Sequence, residues 1–368
     1  MNKVRTLAIA LMALTLFACK KQEPKQTEDA VLSLRIDDAE LRALEGQIDN
    51  GTTTTITENV KVILNNGAGR TYTLKPEQIE AAKKQPDGCK LTVTEVVTSV
   101  TLIANAEVTD NTAIKDWQKK GGEDFKTKIP LSATTNDIQT SVQDGKTTYK
   151  AELTPTPAFA RLEVFGKITP KVNEKTQKSA FESIEVTEVT INNYLDTRIA
   201  SNRYFTDHNA SLDGFATNPA RKAEMMDAIN NGNMNDFKDG KKAAAYQLFP
   251  KKATENDGNY DHVILKLSIK YSQEAQKKGL PKEAVTRYVT IKKFMKAVTD
   301  DLKSTGFLAG TIYKLDLKGL NDHFKTTDEG TPDPTNPDTT EPESKGSKEL
   351  QLIVKPCTWS AQNILPQL

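Results

Sequence analysis

The chain of 368 residues is short of the side chains that carry most enzyme chemistry. Its three histidines, His208, His262 and His323, stand singly, with no HExxH and no paired-ligand spacing, so neither a zinc site nor a histidine-centred triad has support. Three cysteines, Cys19, Cys89 and Cys357, are too few for a disulfide framework. Charge of one sign is also missing. Fifty basic residues face 49 acidic ones, which leaves no electrostatic footprint for nucleic acid. Long apolar runs are absent too: the stretch at residues 7–14 is too short to span a membrane and is followed closely by Lys20-Lys21. Gly67-Ala68-Gly69 lacks the context of a phosphate loop and reads as a hairpin turn, and the pair Asp300-Asp301 reads as a solvated helical face rather than a glycosidase pair. No catalytic residue, cofactor or metal is expected.

What is present begins with an export signal. Residues 1–18 have a basic start (Lys3, Arg5), an apolar core and the ending Leu16-Phe17-Ala18-Cys19, which has the form of a signal peptide followed by a lipobox. Cys19 is the expected lipidation site; a plain secretory signal with an incidental cysteine is the alternative. Lys20 stands where an inner-membrane retention signal would place Asp, favouring the outer membrane. Outside the cell Cys89 and Cys357 could pair, with free thiols the equal alternative.

Thr, Val and Ile cluster in short runs separated by Gly, Asn, Asp and Pro, a pattern that predicts β-sandwich modules. About 300 residues of mature chain before residue 326 suit two of them. The first strand is expected at residues 30–37, with Leu32, Leu34 and Ile36 on one face. Strands are also expected at 59–64, 90–97, 99–106, 129–131 and 149–153, with a short helix at 76–85 that has Pro76 in its first turn, and a surface helix at 111–125. Thr154-Pro155-Thr156-Pro157 marks a boundary. Beyond it strands are expected at 160–168, 181–192, 263–271, 287–292 and 311–317. Between them residues 198–242 read as long loops, with a short helix at MMDAIN. Residues 326–347, rich in Pro, Thr, Asp and Glu, read as an extended tether of 22 residues able to carry the C-terminal segment tens of ångströms away, at about 3 Å per residue. After it Leu350, Leu352 and Val354 alternate with Gln351 and Ile353, one more strand, with no local sheet expected to receive it.

Four features in this order, together with the tail, resemble the type V fimbrillins, in particular the branch of the short-fimbria major subunit. They are the lipobox at Cys19, the early strand followed by Leu41-Arg42-Ala43-Leu44, the ARLEV opening of the second module and the acidic Pro-rich segment. The ending ELQLIVKPCTWSAQNILPQL resembles that branch's strand-Pro-Trp tail, although Cys357-Thr358 stands between Pro356 and Trp359. The resemblance implies a mainly β fold of two transthyretin-like β-sandwich domains with short helices, plus a tethered C-terminal donor strand. The implied division is a signal peptide at 1–18, a lipidated propeptide with a removable first strand at 19–42, domains at 43–154 and 155–325, the tether at 326–347 and the donor strand at 348–368. It implies a surface fimbria at the outer membrane, an Arg-specific surface protease, and polymerisation with copies of the chain and other pilins by donor-strand exchange.

Three readings of the residues stand beside that resemblance. L-x-L-x-I at Leu32 to Ile36 and L-x-L-x-V at Leu350 to Val354 present matching apolar triplets, so one strand can replace the other. Arg42-Ala43, in a polar connection after the first strand, is the expected cut, ahead of Arg35 inside the strand. Trp359 is expected to anchor the donor strand in its groove rather than stack a sugar. The rivals are a monomeric surface adhesin or glycan-binding lipoprotein, with a host or bacterial surface ligand, and an anchor or accessory pilin.

Overall fold

The structure is a computed structural model that describes residues 30–36, 56, 59–84, 88–109, 111–117, 129–197, 225–229, 234–250, 261–297, 300–301, 307–340, 350–353 and 355–358. Its first half is two sheets facing one core. The strands are β1 (Ala30–Ile36), β2 (Lys61–Leu64), β3 (Thr71–Thr73), β4 (Cys89–Val93), β5 (Val100–Ala104), β6 (Leu131–Thr135), β7 (Gln139–Gln143), β8 (Lys146–Leu153) and β9 (Thr156–Pro157). One sheet has the order β4-β1-β8-β7 and the other β3-β2-β5-β6-β9. Period-two burial drives the pairing: β4 alternates strictly between buried and exposed positions, and β2 and β5 alternate with it. The helix Pro76–Lys83 connects β3 to β4 and packs on β1 and β4. Pro76 presets its first turn, the Lys75 backbone N–H donates to Gln78 Oε1 at 2.9 Å, and Ile79 and Ala82 face the core.

The second half repeats this topology. Its strands are β10 (Ala160–Phe165), β11 (Phe181–Asn192), β12 (Met226–Ala228), β13 (Ala244–Leu248), β14 (His262–Tyr271), β15 (Val285–Ala297), β16 (Asp300–Asp301), β17 (Thr311–Asp316), β18 (Leu350–Ile353) and β19 (Lys355–Thr358). β10 lies antiparallel to β13 and parallel to β17, as β1 lies antiparallel to β4 and parallel to β8. In the other sheet β12-β11-β14-β15 matches β3-β2-β5-β6 strand for strand, and β16 pairs with β15 beyond it. Each half has its own apolar core; Ile114, in a 3-10 turn of the first half, packs into the second core. In β10 the ARLEV residues divide by face: Ala160, Leu162 and Val164 enter the core, while Arg161 Nε donates to Glu163 Oε1 at 2.8 Å on the other face, both side chains buried.

Several expectations are corrected. The MMDAIN segment holds a strand, β12, because Ile191 N donates to Met225 O and Ile229 N to Thr187 O, an edge ladder on β11. Met225 and Ile229, four apart, satisfy a helical and a strand period equally. Asp300-Asp301 is strand β16 against β15, not a helix face. Of the helix expected at 111–125, the described part is a short 3-10 turn, Ile114–Trp117. The largest correction concerns the tether. Residues 326–340 are fixed to the second half by hydrogen bonds rather than extended away from it. Ala180 N donates to Thr326 Oγ1, Lys325 N to Asn336 Oδ1, and Tyr288 and Thr339 exchange both backbone bonds at 2.9 Å. Thr, Asn and Asp side chains bond nearby backbone groups and favour turns, as Asp333 does with Thr335 N, and that local chemistry overrides the extended preference of the prolines. Nor does the C-terminal strand lack a local sheet: β18 pairs in parallel with β15, and β19 antiparallel with β17.

Candidate functional site

The first strand occupies a central position. β1 is bonded on both sides: Leu32 lies opposite Leu91 and Tyr149, and Leu34 opposite Cys89 and Ala151. Ala30, Leu32 and Leu34 have 0% exposure. The described burial on β1 thus falls at 30, 32 and 34; the side chain of Ile36, third in the expected triplet 32/34/36, lies outside the described residues. Ile36 has Leu153 on β8 as its ladder partner, and the described pairing with β4 runs from Ala30 to Leu34. Gly88, at the start of β4, has φ +61°, and a Cβ there would come within 2.5 Å of the Leu34 carbonyl oxygen, so the seat of β1 requires glycine.

The outward face of β1 is polar and basic at its flanks. Ser33 has Lys90 on one side and Lys150 on the other, in register. Arg35 lies opposite Glu152, with Nη1 3.4 Å from its Oε1, and Lys150 Nζ approaches the same oxygen at 2.9 Å. The Lys150 hydrogen bond, followed by the charges of Lys150 and Arg35, holds the Glu152 carboxyl below its ordinary range despite some desolvation. A shallow depression on this face is lined by Val31, Ser33, Lys90, Thr148 and Lys150 together with residues of β7. Beside it β7, QTSVQ, is an exposed edge strand joined to β8 by Asp144-Gly145, both at positive φ, as a two-residue hairpin turn requires.

Of the residues singled out in the sequence, Leu32 and Leu34 lie together in the core of the first half, on the inward face of β1. Leu350 and Leu352 belong to β18, beside Ile291 and Phe294 in the ladder of the second half. Cys19, Arg42, Ala43, Val354 and Trp359 lie outside the described residues. Cys89 is a free thiol buried beneath the intact β1, and that desolvation pushes its pKa up. Among the described residues no cluster of His, Cys, Asp and Glu could hold a metal, and no helix is long and apolar enough to cross a membrane. Sequence reasoning missed Gly88, Glu152 and β7. The first two depend on pairing across more than 50 residues; the third had one visible signal, the Asp-Gly turn.

No family model matches the chain, and comparison with curated proteins gives no match. Among solved structures it is similar to a fimbrilin from Porphyromonas gingivalis, with 12% identity, 90% of this chain and 98% of that one covered, and a TM-score of 0.46. A protein from Parabacteroides distasonis provisionally described as a cell adhesion protein shows 13% identity, coverage of 90% and 100%, and a TM-score of 0.46. One from Bacteroides eggerthii, described in the same way, shows 14% identity, coverage of 90% and 96%, and a TM-score of 0.44. Identities this low with TM-scores below 0.5 leave the functional assignment to the chain's own residues.

Proposed function

We propose that this chain is a structural subunit of a surface fimbria. It is exported as an outer-membrane lipoprotein through Cys19, cut after Arg42 by an Arg-specific protease, and joined to neighbours by donor-strand exchange in support of adhesion. The observation that carries the reading is the place of β1. A first strand that is central in its sheet, buried at three positions and followed by the segment containing Arg42 is a removable part whose loss leaves a groove between β4 and β8. Refilling it is favourable: burying two leucines alone is worth about 3–6 kcal/mol before ordering costs, and a central strand adds a hydrogen-bond ladder on each side. The alternating C-terminal strand of a neighbour supplies the matching apolar side.

One observation favours the monomeric adhesin as the second reading: β18 and β19 pair within their own chain. The test is the N-terminal sequence of the protein recovered from sheared surface filaments, with Arg42→Ala and deletion of residues 348–368 as companions. Mature protein starting at Ala43, and loss of filaments in both variants, is the expected result. A start at Cys19 makes the chain an anchor. Filaments of normal length from the deletion variant exclude the donor role and leave the monomeric adhesin.

A further inference from the structure

We infer that the groove left by β1 admits the C-terminal strand of a second copy in a single register, with Leu350, Leu352 and Val354 at the places of Ala30, Leu32 and Leu34, and Lys355 at the place of Arg35 opposite Glu152. This rests on the donor-strand reading above and specifies its contact. The register differs by two residues from the triplet match drawn from sequence, and burial decides between them.

With the direction of β1 kept, seating Leu350 at Leu32 would put Lys348 at Ala30, which has no exposure, and Val354 at Ile36, beyond the last described partner on β4. An unpaired ammonium at a fully buried position is heavily disfavoured. Sliding the strand the other way, to seat Leu352 at Ala30, would put Pro356 at Leu34, between Cys89 and Ala151 with ladders on both sides, where proline has no N–H to give. A shift of one residue turns the apolar face outward. Reversing the strand about Leu352 would set Glu349 against Glu152, a like-charge pair.

The inferred register avoids all four. Lys348 falls ahead of β1 and Pro356 falls at Ile36, where among the described residues the ladder partner lies on β8. Ile353 takes the place of Ser33, between Lys90 and Lys150, whose alkyl stems cover it. Lys355 replaces the Arg35 charge beside Glu152. The one inward position that must accept a larger side chain, Ala30, is at the strand end with a ladder partner on β4 alone, Val93. Lys348 and Pro356 thus bracket the register, and Glu152 fixes its direction.

Cys89 reports it. It lies directly opposite Leu34, and directly opposed antiparallel positions have Cα atoms about 4.5–5.5 Å apart, within disulfide range. The experiment uses the full chain with Cys19 and Cys357 changed to Ser and a specific protease site inserted in residues 37–55. Once cut, it is incubated with peptides spanning residues 348–358 (Cys357→Ser) and oxidised glutathione, and intact masses are read. The peptide carrying Val354→Cys should release β1 and form the adduct with Cys89. Adducts mainly with Leu352→Cys or Leu350→Cys, or β1 release with no adduct, overturn the register and leave strand exchange standing. Failure of every peptide to displace β1 overturns the exchange reading itself. In a companion measurement Glu152→Lys should slow uptake of the unmodified peptide about two- to fivefold, the range an exposed ion pair supports, and a Lys355→Glu peptide should restore it. Uptake of the unmodified peptide unchanged by Glu152→Lys removes Glu152 from the recognition.

Discussion

Gly88→Ala tests the seat of β1 without touching β1. Two effects combine at this position. The backbone is left-handed at φ +61°, where an alanine costs about 1–2 kcal/mol, and the new Cβ would lie 2.5 Å from the Leu34 carbonyl oxygen, a main-chain atom that cannot rotate away. Relieving that contact shifts β1 or the start of β4 and disturbs the ladder between them, an overpacking cost of about 1–3 kcal/mol. Gly145→Ala supplies the control. Gly145 has φ +77° but nothing within 4 Å of its Cβ position, so only the backbone penalty of about 1–2 kcal/mol applies. Urea unfolding of both variants separates the terms: Gly88→Ala should lose about 2–5 kcal/mol in all, and clearly more than Gly145→Ala. Equal losses in the two would refute the claim that Gly88 is held by the close approach of β1.

Two further perturbations address other parts of the molecule. Glu163→Ala leaves the buried Arg161 guanidinium without the carboxylate at 2.8 Å and should cost about 3–5 kcal/mol in denaturant unfolding; a loss under about 1 kcal/mol would show that the pair is dispensable. Burial lowers the pKa of His323, the effect of Lys325 adding to it and that of Asp322 opposing it, so the unfolded chain binds the proton more readily. That contribution is complete above the unfolded value of about 6.5 and is lost as pH falls through the lowered folded value. Between about pH 7.5 and 5.5 the unfolding midpoint should therefore fall further for the wild type than for His323→Asn, and parallel curves would contradict the assignment.

How much of the molecule is legible in its sequence depends on where each signal lies. β11 is readable to the residue, because FESIEVTEVTIN is rich in β-branched residues, alternates between two register shifts, at Phe181/Ser183 and Val186/Glu188, and is punctuated at both ends. β1 is equally plain, yet its central position is not, since nothing local in AVLSLRI says that β8, more than 100 residues later, will lie beside it in parallel. β7 has no apolar alternation because none of its five residues is buried; an edge strand over polar neighbours leaves only its turn in the sequence. β13 begins Ala-Ala and carries little strand propensity; its partners on β10 place it. The fixed segment at 326–340 misleads for the opposite reason. Its composition suggests stiffness, whereas its Thr and Asn side chains act singly, at Ala180, Lys325 and Thr331.

That last difference changes the energetics of the proposed exchange. With Thr339 bonded to Tyr288, the leash to Leu350 is residues 340–349, a reach of about 30 Å at the polyproline rise, in place of a leash of 22 residues. A neighbour must therefore present its groove close to the Tyr288 end of β15. The donor also starts from a bonded state: among the described residues β18 and β19 each have one sheet neighbour, and in the β1 groove the strand would have two. Ladders lost on leaving are thus replaced on arrival, with the second side as surplus. What opposes exchange is the intact β1, tethered to its own groove at an effective concentration in the millimolar range. Against subunits at micromolar concentration that is a factor of about a thousand, about 4 kcal/mol, comparable to the apolar gain of the incoming leucines. In the proposed exchange, cutting after β1 would remove that advantage and nothing else, so proteolysis rather than strand affinity would set when subunits join.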